Sequence, residues 1–302
     1  MRILIIGSRS FLGGHLRRAA AAAGHTVLTA GRSDGWSLRL DLVADPAERV
    51  GSLIADAAPD VVVNCAGATA GGAAALAAAN LTATHTLVTA LLGLAPAGPR
   101  LVHIGSAAEY GAVDDGVPVT EDTAPRPAGL YGATKLGGTR LVELARTAGL
   151  DAVTLRVFNV VGAGAPEDTL PGAAVTQLRQ AGRLGRGGLG GSLKLGPLDA
   201  VRDFVDARDV ADAVLAAATA PTLPHGLVNI GSGAGVQARA LVLRLLAVAG
   251  LDVTVHEDAP GSVRSAGLAW QQADIARARA DLGWRPRRDL TESARDLWQG
   301  VP

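Results

Sequence analysis

The chain has 302 residues, and 48% of them are hydrophobic but only 3% aromatic, which predicts one large or two closely joined domains with a core of Ala, Val and Leu. Lys plus Arg and Asp plus Glu number 28 each, so no net charge favours a nucleic acid or an anionic membrane as partner. A single cysteine, Cys65, excludes an intramolecular disulfide and favours a reducing compartment.

The first predicted elements are a strand over Arg2–Ile6, a turn at Gly7 and a helix over Phe11–Ala23. The apolar run is too short for a signal-peptide core, and we expect a soluble, cytoplasmic protein. Gly7 permits a tight turn and Gly13 lets the helix pack on the strand, as in a loop that holds a pyrophosphate. Ser10 occupies the middle glycine position of GxxGxxG, where its Cβ narrows the approach and its hydroxyl can donate to phosphate. The alternative is a plain tight turn.

A second strand is predicted over His25–Ala30, and it ends in Gly31 and Arg32. Sites for NAD usually have an acidic residue here that binds the ribose 2′-hydroxyl. A small residue followed by Arg32 leaves room for a 2′-phosphate and a guanidinium to pair with it, and Arg9 can reach the same phosphate. The pattern therefore predicts NADP, unless Arg32 is an ordinary solvated loop residue.

Further strands and helices alternate along the chain. The pair Asp41 and Leu42 is placed to touch an adenine, a buried strand over Asp60–Asn64 ends in the sequence NCAG, and a helix follows over Ala73–Leu92. This alternation predicts a parallel, doubly wound α/β sheet. We interpret Cys65 as a packing residue, and the histidines show no spacing typical of a metal site.

The segment Leu101–Leu136 contains both tyrosines and one of the two lysines. Tyr131 and Lys135 are four residues apart, so on a helix they share a face, where the ammonium can lower the pKa of the phenol. Ser106 follows a predicted strand and can bond the substrate oxygen that Tyr131 protonates. The alternative is an amphipathic helix with a surface lysine and a half-buried tyrosine.

These motifs occur in the order found in the extended short-chain dehydrogenase/reductase family, which contains nucleotide-sugar epimerases, dehydratases and reductases. The chain resembles this family over nearly its whole length. The match continues through RVFNVVGAG at Arg156–Gly164, RDFVDARDVAD at Arg202–Asp212 and DLGWRP at Asp281–Pro286. The resemblance implies a Rossmann-like, doubly wound parallel sheet with a smaller, interleaved C-terminal lobe that binds substrate.

The resemblance also implies roles for individual residues. The catalytic residues would be Ser106, Tyr131 and Lys135. The cofactor residues would be Gly7, Ser8, Arg9, Ser10, Phe11, Leu12, Gly13, Arg32, Asp41, Leu42, Cys65, Ala66, Gly67, Asn80, Tyr131, Lys135 and Phe158. The substrate residues would be Ala107, Ala108, Asn159, Arg202 and Arg264, with Asn159 and Arg264 holding a diphosphate. Arg264 can equally be a solvated loop charge.

We expect residues 1–159 and 201–233 to form the dinucleotide-binding domain, and residues 160–200 and 234–302 the substrate lobe. The glycine-rich, basic segment Gly182–Gly196 is either a flexible surface loop or, as the resemblance implies, a loop that closes on the substrate nucleotide. A returning strand is predicted within His225–Gly233. Beyond Val236 we expect two helices flanking a strand.

The 4,6-dehydratases of the family have an Asp-Glu pair where this chain has Ala107 and Ala108, which argues against dehydration. Epimerases retain NAD, which fits poorly with Arg32. The resemblance thus implies an NADPH-dependent reductase of a nucleoside-diphosphate 4-keto-6-deoxy sugar, most like GDP-4-keto-6-deoxymannose reductases. Those reductases often have Glu at the position of Ala108, so the identity of the substrate sugar is not determined.

Three alternatives remain: an epimerase, a ketoreductase of a non-sugar metabolite, and a nucleotide-binding regulator without activity. The intact set of Ser106, Tyr131 and Lys135 argues against the last. Relatives often pair through the helix that carries Tyr131, so the resemblance implies a homodimer.

Overall fold

The computed structural model describes residues 1–33, 35–184, 191–260 and 268–300. Within these ranges the strands are β1 (Arg2–Ile6), β2 (Thr26–Gly31), β3 (Leu38–Arg39), β4 (Val61–Asn64), β5 (Arg100–Ser106), β6 (Ala152–Val157), β7 (Asn159–Val161), β8 (Ser192–Lys194), β9 (Val201–Asp206), β10 (Leu227–Ile230), β11 (Gly235–Gln237), β12 (Thr254–His256) and β13 (Trp270–Gln271). The α-helices are α1 (Phe11–Ala22), α2 (Ala47–Ala57), α3 (Ala73–Ala77), α4 (Ala83–Leu92), α5 (Leu130–Thr147), α6 (Leu170–Leu184), α7 (Ala207–Thr219), α8 (Ala238–Ala249), α9 (Ala276–Leu282) and α10 (Leu290–Gln299).

Seven strands form one sheet in the order β10-β6-β5-β4-β1-β2-β3, and every neighbouring pair is parallel. The chain starts near the middle of the sheet, moves to the β3 edge and then returns to build the other half. This is the doubly wound, Rossmann-like α/β fold that the sequence predicts. Such a sheet gathers the carboxyl ends of its strands at one edge, where the predicted site residues are concentrated.

Both faces of this sheet are covered by helices, which explains why its strands are apolar without alternation. In β1, Ile3 and Ile5 belong to the core beneath α1 and α7, while Leu4 and Ile6 belong to the core beneath α2, α4 and α5. All four side chains are almost inaccessible to solvent. The chain has few aromatic residues, and its core is accordingly built from short aliphatic side chains, which let the helices lie close to the sheet.

The segment Ala73–Leu92 is long and apolar enough to cross a membrane by length and composition alone. It is interrupted by a π-helical turn at Ala78–Thr82, and Leu87 and Leu91 are fully buried in the core between the sheet and its helices. We interpret it as a core helix of the α/β fold.

A smaller sheet holds β9 between β11 and β13, with β7 also paired to β9, and a two-stranded sheet joins β8 to β12. A third apolar core lies among α6, α8 and α10. Strand β9 falls in the segment that the sequence assigned to the dinucleotide-binding domain, yet it pairs in the smaller sheet and leads directly into α7. The chain therefore crosses between the two sheets within a few residues.

The C-terminal segment differs from the sequence-based prediction of two helices flanking a strand. Within the described residues three helices and two strands follow β11, because α9 ends before Gly283, which has a φ of +60°, and α10 begins at Leu290 with Asp289 as its N-cap. The connection is fastened by Asp209, whose carboxylate accepts the N–H groups of Arg287 and Arg288 at 3.1 and 3.0 Å. These contacts give the DLGWRP segment a structural role against α7.

Candidate active site

The turn after β1 has the close contacts of a phosphate-binding loop. Gly7 has a φ of +81°, and a Cβ on it would lie 2.8 Å from the backbone nitrogen of Ala66. A Cβ on Gly13 would lie 2.1 Å from the carbonyl oxygen of Gly7. Both positions therefore require glycine, one for the backbone conformation and one for the packing of α1 against the loop.

The hydroxyl of Ser10 caps α1 by accepting the N–H of Gly13 at 3.1 Å. The sequence analysis predicted that this hydroxyl donates to a phosphate. The capping bond uses only a lone pair of the oxygen, so the hydroxyl proton is still available for a bond to phosphate. Phe11 and Leu12 occupy the first turn, where backbone N–H groups have no intrahelical partner. Both line a large cavity at the carboxyl ends of the strands, which we call the main cavity. This N-terminus fits a dinucleotide pyrophosphate.

A second cavity of about 530 Å³ lies beside the loop and is lined by Ser8, Arg9, Arg17 and Arg18. The Arg9 guanidinium lies 4.2 Å from the ring centroid of Trp36, which also lines the cavity. The sequence analysis missed Arg17, Arg18 and Trp36, although the adjacent arginines on α1 were a visible signal. Three cations in one cavity favour a phosphate.

Three residues predicted for the adenosine end lie outside the two cavities. Arg32 is exposed. The Asp41 carboxylate accepts the N–H of Val43 at 2.9 Å, so it shapes a turn. Leu42 is buried in the core of the sheet. Their predicted contacts with cofactor stay predictions.

Ser106, Tyr131 and Lys135 all line the main cavity, which has a volume of about 940 Å³. Ser106 ends β5, and Tyr131 lies in the first turn of α5. A Cβ on Gly132 would lie 2.4 Å from the carbonyl oxygen of Ala108, so glycine lets α5 begin directly against the turn that follows Ser106. Residues 25 positions apart in the chain thus share one wall.

Lys135 is buried, and its Nζ donates to the carbonyl oxygen of Ile104 at 2.5 Å. Desolvation lowers the pKa of Lys135, while the Glu109 carboxylate acts in the opposite direction. A cation held in this way faces the same cavity as the phenol of Tyr131. It can stabilise negative charge that develops there during proton transfer.

The cavity wall on the β4 side is formed by Cys65, Ala66 and Gly67. Burial raises the pKa of the Cys65 thiol to about 12, so the thiol stays protonated and serves as packing. Asn80 also lines the cavity, but its amide accepts the N–H of Ala68 at 2.9 Å and donates to the Ala68 carbonyl oxygen at 2.9 Å. Asn80 therefore shapes the loop behind this wall.

Of the predicted substrate residues, Ala107 and Ala108 line the cavity directly after Ser106. The wall toward the smaller sheet contains Asn159 and Arg202, and also Phe158 of the predicted cofactor set. The Nδ2 atom of Asn159 donates to the carbonyl oxygen of Asp203 at 3.3 Å. Predicted residue Arg264 lies outside the described residues. Gln271, which the sequence analysis missed, lines this wall and donates to the Ala107 carbonyl oxygen at 2.9 Å.

Arg202 is only 8% exposed, and its guanidinium donates to the carbonyl oxygens of Val201 and Leu268 at 2.8 and 2.7 Å. Desolvation lowers its pKa, and within the described ranges no carboxylate pairs with it. A buried cation without a counter-ion is costly, because a charge in a low-dielectric site needs a partner. An anionic group on a ligand would compensate it.

The fold and these residues define the class of the protein. A parallel sheet with a glycine loop at its first turn, together with serine, tyrosine and lysine around one cavity, is the arrangement of an NAD(P)-dependent oxidoreductase. The chain belongs to the NAD dependent epimerase/dehydratase family, whose family model matches residues 3–231.

Individual relatives span nearly the whole chain. The chain is 37% identical to a dTDP-6-deoxy-L-talose 4-dehydrogenase (NAD(P)(+)) of Kitasatospora kifunensis, over 98% of this chain and 94% of that protein. It is 30% identical to a GDP-6-deoxy-D-mannose reductase of Pseudomonas aeruginosa, over 98% and 95%. The structure of RMD from Pseudomonas aeruginosa in complex with NADPH superposes with a TM-score of 0.83 at 26% identity, over 98% and 97%. UDP-glucose 4-epimerases are also similar.

Proposed function

We propose that this protein is an NADPH-dependent reductase that converts the 4-keto group of a nucleoside-diphosphate 4-keto-6-deoxy sugar to the alcohol. The observation that carries the proposal is the wall that follows Ser106. Ala107 and Ala108 line the cavity there and have no acid or base to offer for elimination of water. Ser106, Tyr131 and Lys135 retain everything that carbonyl reduction needs.

A nicotinamide nucleotide held at the Gly7–Gly13 loop would supply the hydride for C4 of the sugar. The Ser106 hydroxyl donates to the carbonyl oxygen, and Tyr131 delivers the proton to the same oxygen as its charge develops. Lys135, fixed by the Ile104 carbonyl, stabilises the phenolate that remains. Proton uptake from solvent then restores Tyr131, and the hydride and the proton together account for the alcohol.

A panel of ketones tests this proposal. NADPH oxidation is measured with 4-keto-6-deoxy sugars on dTDP, GDP and UDP, beside aromatic and polyketide ketones of similar size. We expect turnover only with the nucleotide sugars, and first with dTDP, since the relative at 37% identity is named for a dTDP sugar. Oxidation with only the non-sugar ketones would reject the nucleotide-sugar assignment and leave the reductase. Interconversion of sugar epimers without net oxidation of NADPH would identify an epimerase.

The substrate diphosphate is assigned to Arg202, because this buried cation has no carboxylate partner in the described ranges. Arg202→Ala is expected to raise KM for the nucleotide sugar by about 10- to 100-fold, the loss of a charge-assisted hydrogen bond, with a smaller change in kcat. Steady-state kinetics on the preferred sugar measure it.

The matched control is Arg202→Lys, which keeps the charge but not the fork geometry and should recover part of the affinity. KM for NADPH should stay unchanged in both variants. An equal rise in both KM values would mean that Arg202 supports the fold of the site and not the diphosphate.

We assign the preference for NADP to the second cavity, which is lined by Arg9. The sequence analysis predicted that Arg32 also pairs with the 2′-phosphate. Wild type is expected to bind NADPH at least tenfold more tightly than NADH, the scale of one charge-assisted contact. Arg9→Ala should remove most of this preference and Arg32→Asp should reduce it, as measured by fluorescence titration of both cofactors. Equal affinities in the wild type would refute the preference.

The lobe division at residues 159, 201 and 233, a cytoplasmic location and a homodimer formed through α5 belong to the same proposal. The third core, which is separate from the two cores of the large sheet, supports the lobe division alone; the location and the homodimer stay predictions. Sedimentation of wild type at several concentrations measures the oligomeric state.

A further inference from the structure

A fully buried ion pair lies directly behind the carboxyl end of β5. Glu109 and Arg156 are 0% and 1% exposed, and Arg156 Nε donates to Glu109 Oε2 at 2.7 Å. An apolar pair of similar volume is often at least as stable as a buried ion pair, because desolvating two charges is costly. Stability alone therefore gives little reason for these charges to be here.

The other carboxylate oxygen of Glu109 bonds to the backbone of Ser106. Glu109 Oε1 accepts the backbone N–H of Ser106 at 2.8 Å. The Ser106 hydroxyl in turn accepts the N–H of Ala108 at 3.2 Å, which completes a reciprocal capping box around the 3-10 turn Ala107–Glu109. Both the backbone and the hydroxyl of Ser106 are thus fixed through this one turn.

Two neighbours restrict where the carboxylate can be. A Cβ on Gly105 would lie 2.9 Å from Glu109 Oε1, so glycine makes room for the carboxylate beside β5. On the other side, the Arg156 guanidinium lies 4.5 Å from the ring centroid of Tyr110, whose hydroxyl donates to Asn229 Oδ1 at 2.7 Å. Arg156 therefore has a fixed place from which to hold Glu109.

We propose that Glu109 is a positioning residue for Ser106: its carboxylate, held by Arg156, fixes the serine hydroxyl where it meets the substrate oxygen. The inference rests on the proposed role of Ser106, but it applies to reduction and to epimerisation alike, because Ser106 would bond the same oxygen in either. Glu109 itself does not line the cavity.

Glu109→Leu alone leaves Arg156 as an uncompensated buried charge, and that variant can unfold. The test therefore uses the double variant Glu109→Leu/Arg156→Met, in which an apolar pair of similar size replaces both charges. We expect a thermal midpoint near that of wild type, an NADPH affinity within about threefold, and a kcat lower by about 10- to 100-fold, the effect of a misplaced catalytic group.

The matched control is Asp209→Asn. Asp209 is also a fully buried carboxylate paired with an arginine, Arg288, but it lies at the junction of α7 with the C-terminal segment. The Asp209→Asn variant should have a lower thermal midpoint than wild type but a kcat within about threefold of it. A loss of kcat in this control that matches the loss in the double variant would overturn the positioning role.

A cycle with Ser106→Ala separates positioning from general support. If Glu109 acts through Ser106, combining Ser106→Ala with Glu109→Leu/Arg156→Met should be no slower than Ser106→Ala alone. Effects that multiply would overturn the proposal. The cycle is run on whichever sugar wild type turns over, ketone or epimer.

Amide hydrogen exchange at Ser106 needs no substrate. The Ser106 N–H should exchange at least tenfold faster in the double variant than in wild type, because its carboxylate acceptor is gone. Unchanged protection would overturn the proposal even in the absence of any activity. Faster exchange in a protein that reduces no nucleotide sugar would support the positioning of Ser106 and reject only the proposed function.

Discussion

Tyr131→Phe is expected to lower kcat by about 10²- to 10⁴-fold, the usual contribution of a positioned general acid. The variant loses only the hydroxyl that we propose as the proton donor to the substrate oxygen, and the ring still lies in the first turn of α5. NADPH affinity should therefore change little. Stopped-flow NADPH oxidation and fluorescence titration measure the two quantities separately.

The matched control is Tyr110→Phe, at the only other tyrosine of the chain. The Tyr110 hydroxyl is buried and donates to Asn229, so its loss should cost about 1–3 kcal/mol of stability while kcat stays within a few-fold of wild type. Turnover by Tyr131→Phe close to wild type would remove Tyr131 as the proton donor.

Lys135→Met is expected to damage both turnover and cofactor binding, unlike Tyr131→Phe. A methionine fills the same space without the charge, so the phenolate loses its electrostatic stabilisation, and kcat should fall by about 10²-fold or more. We also propose that Lys135 contacts the cofactor, so the dissociation constant of NADPH should rise by about tenfold. Kinetics and titration on one preparation measure both.

Arg140→Met is the control on the same helix, because Arg140 is exposed and its ion pair with Glu143 is on the surface. It should leave kcat, NADPH affinity and stability nearly unchanged. If Lys135→Met lowers kcat but leaves NADPH affinity intact, the cofactor contact is wrong and only the catalytic role remains.

Sequence patterns predict the strands, turns and helical spacings of this protein, because these features depend only on residues close together in the chain. The strand over Arg2–Ile6 has the predicted bounds, and the turn at Gly7 and Gly13 has the predicted close approach. The spacing of Tyr131 and Lys135 on one helix also needed only the helical repeat. The alternation of apolar strands and helices was enough to predict a parallel sheet with both faces covered.

The tertiary structure decided what depends on residues far apart in the chain. Glu109 and Arg156 are 47 positions apart, and nothing in the local sequence of either shows that they pair beneath Ser106. Arg202 reaches Leu268 across 66 positions, and that packing leaves its charge without a carboxylate partner among the described residues. Likewise, β9 joined the smaller sheet through pairing with β7, β11 and β13. Periodicity and turn chemistry act over a few residues and so can be read from the sequence, whereas burial and long-range pairing depend on how whole elements pack.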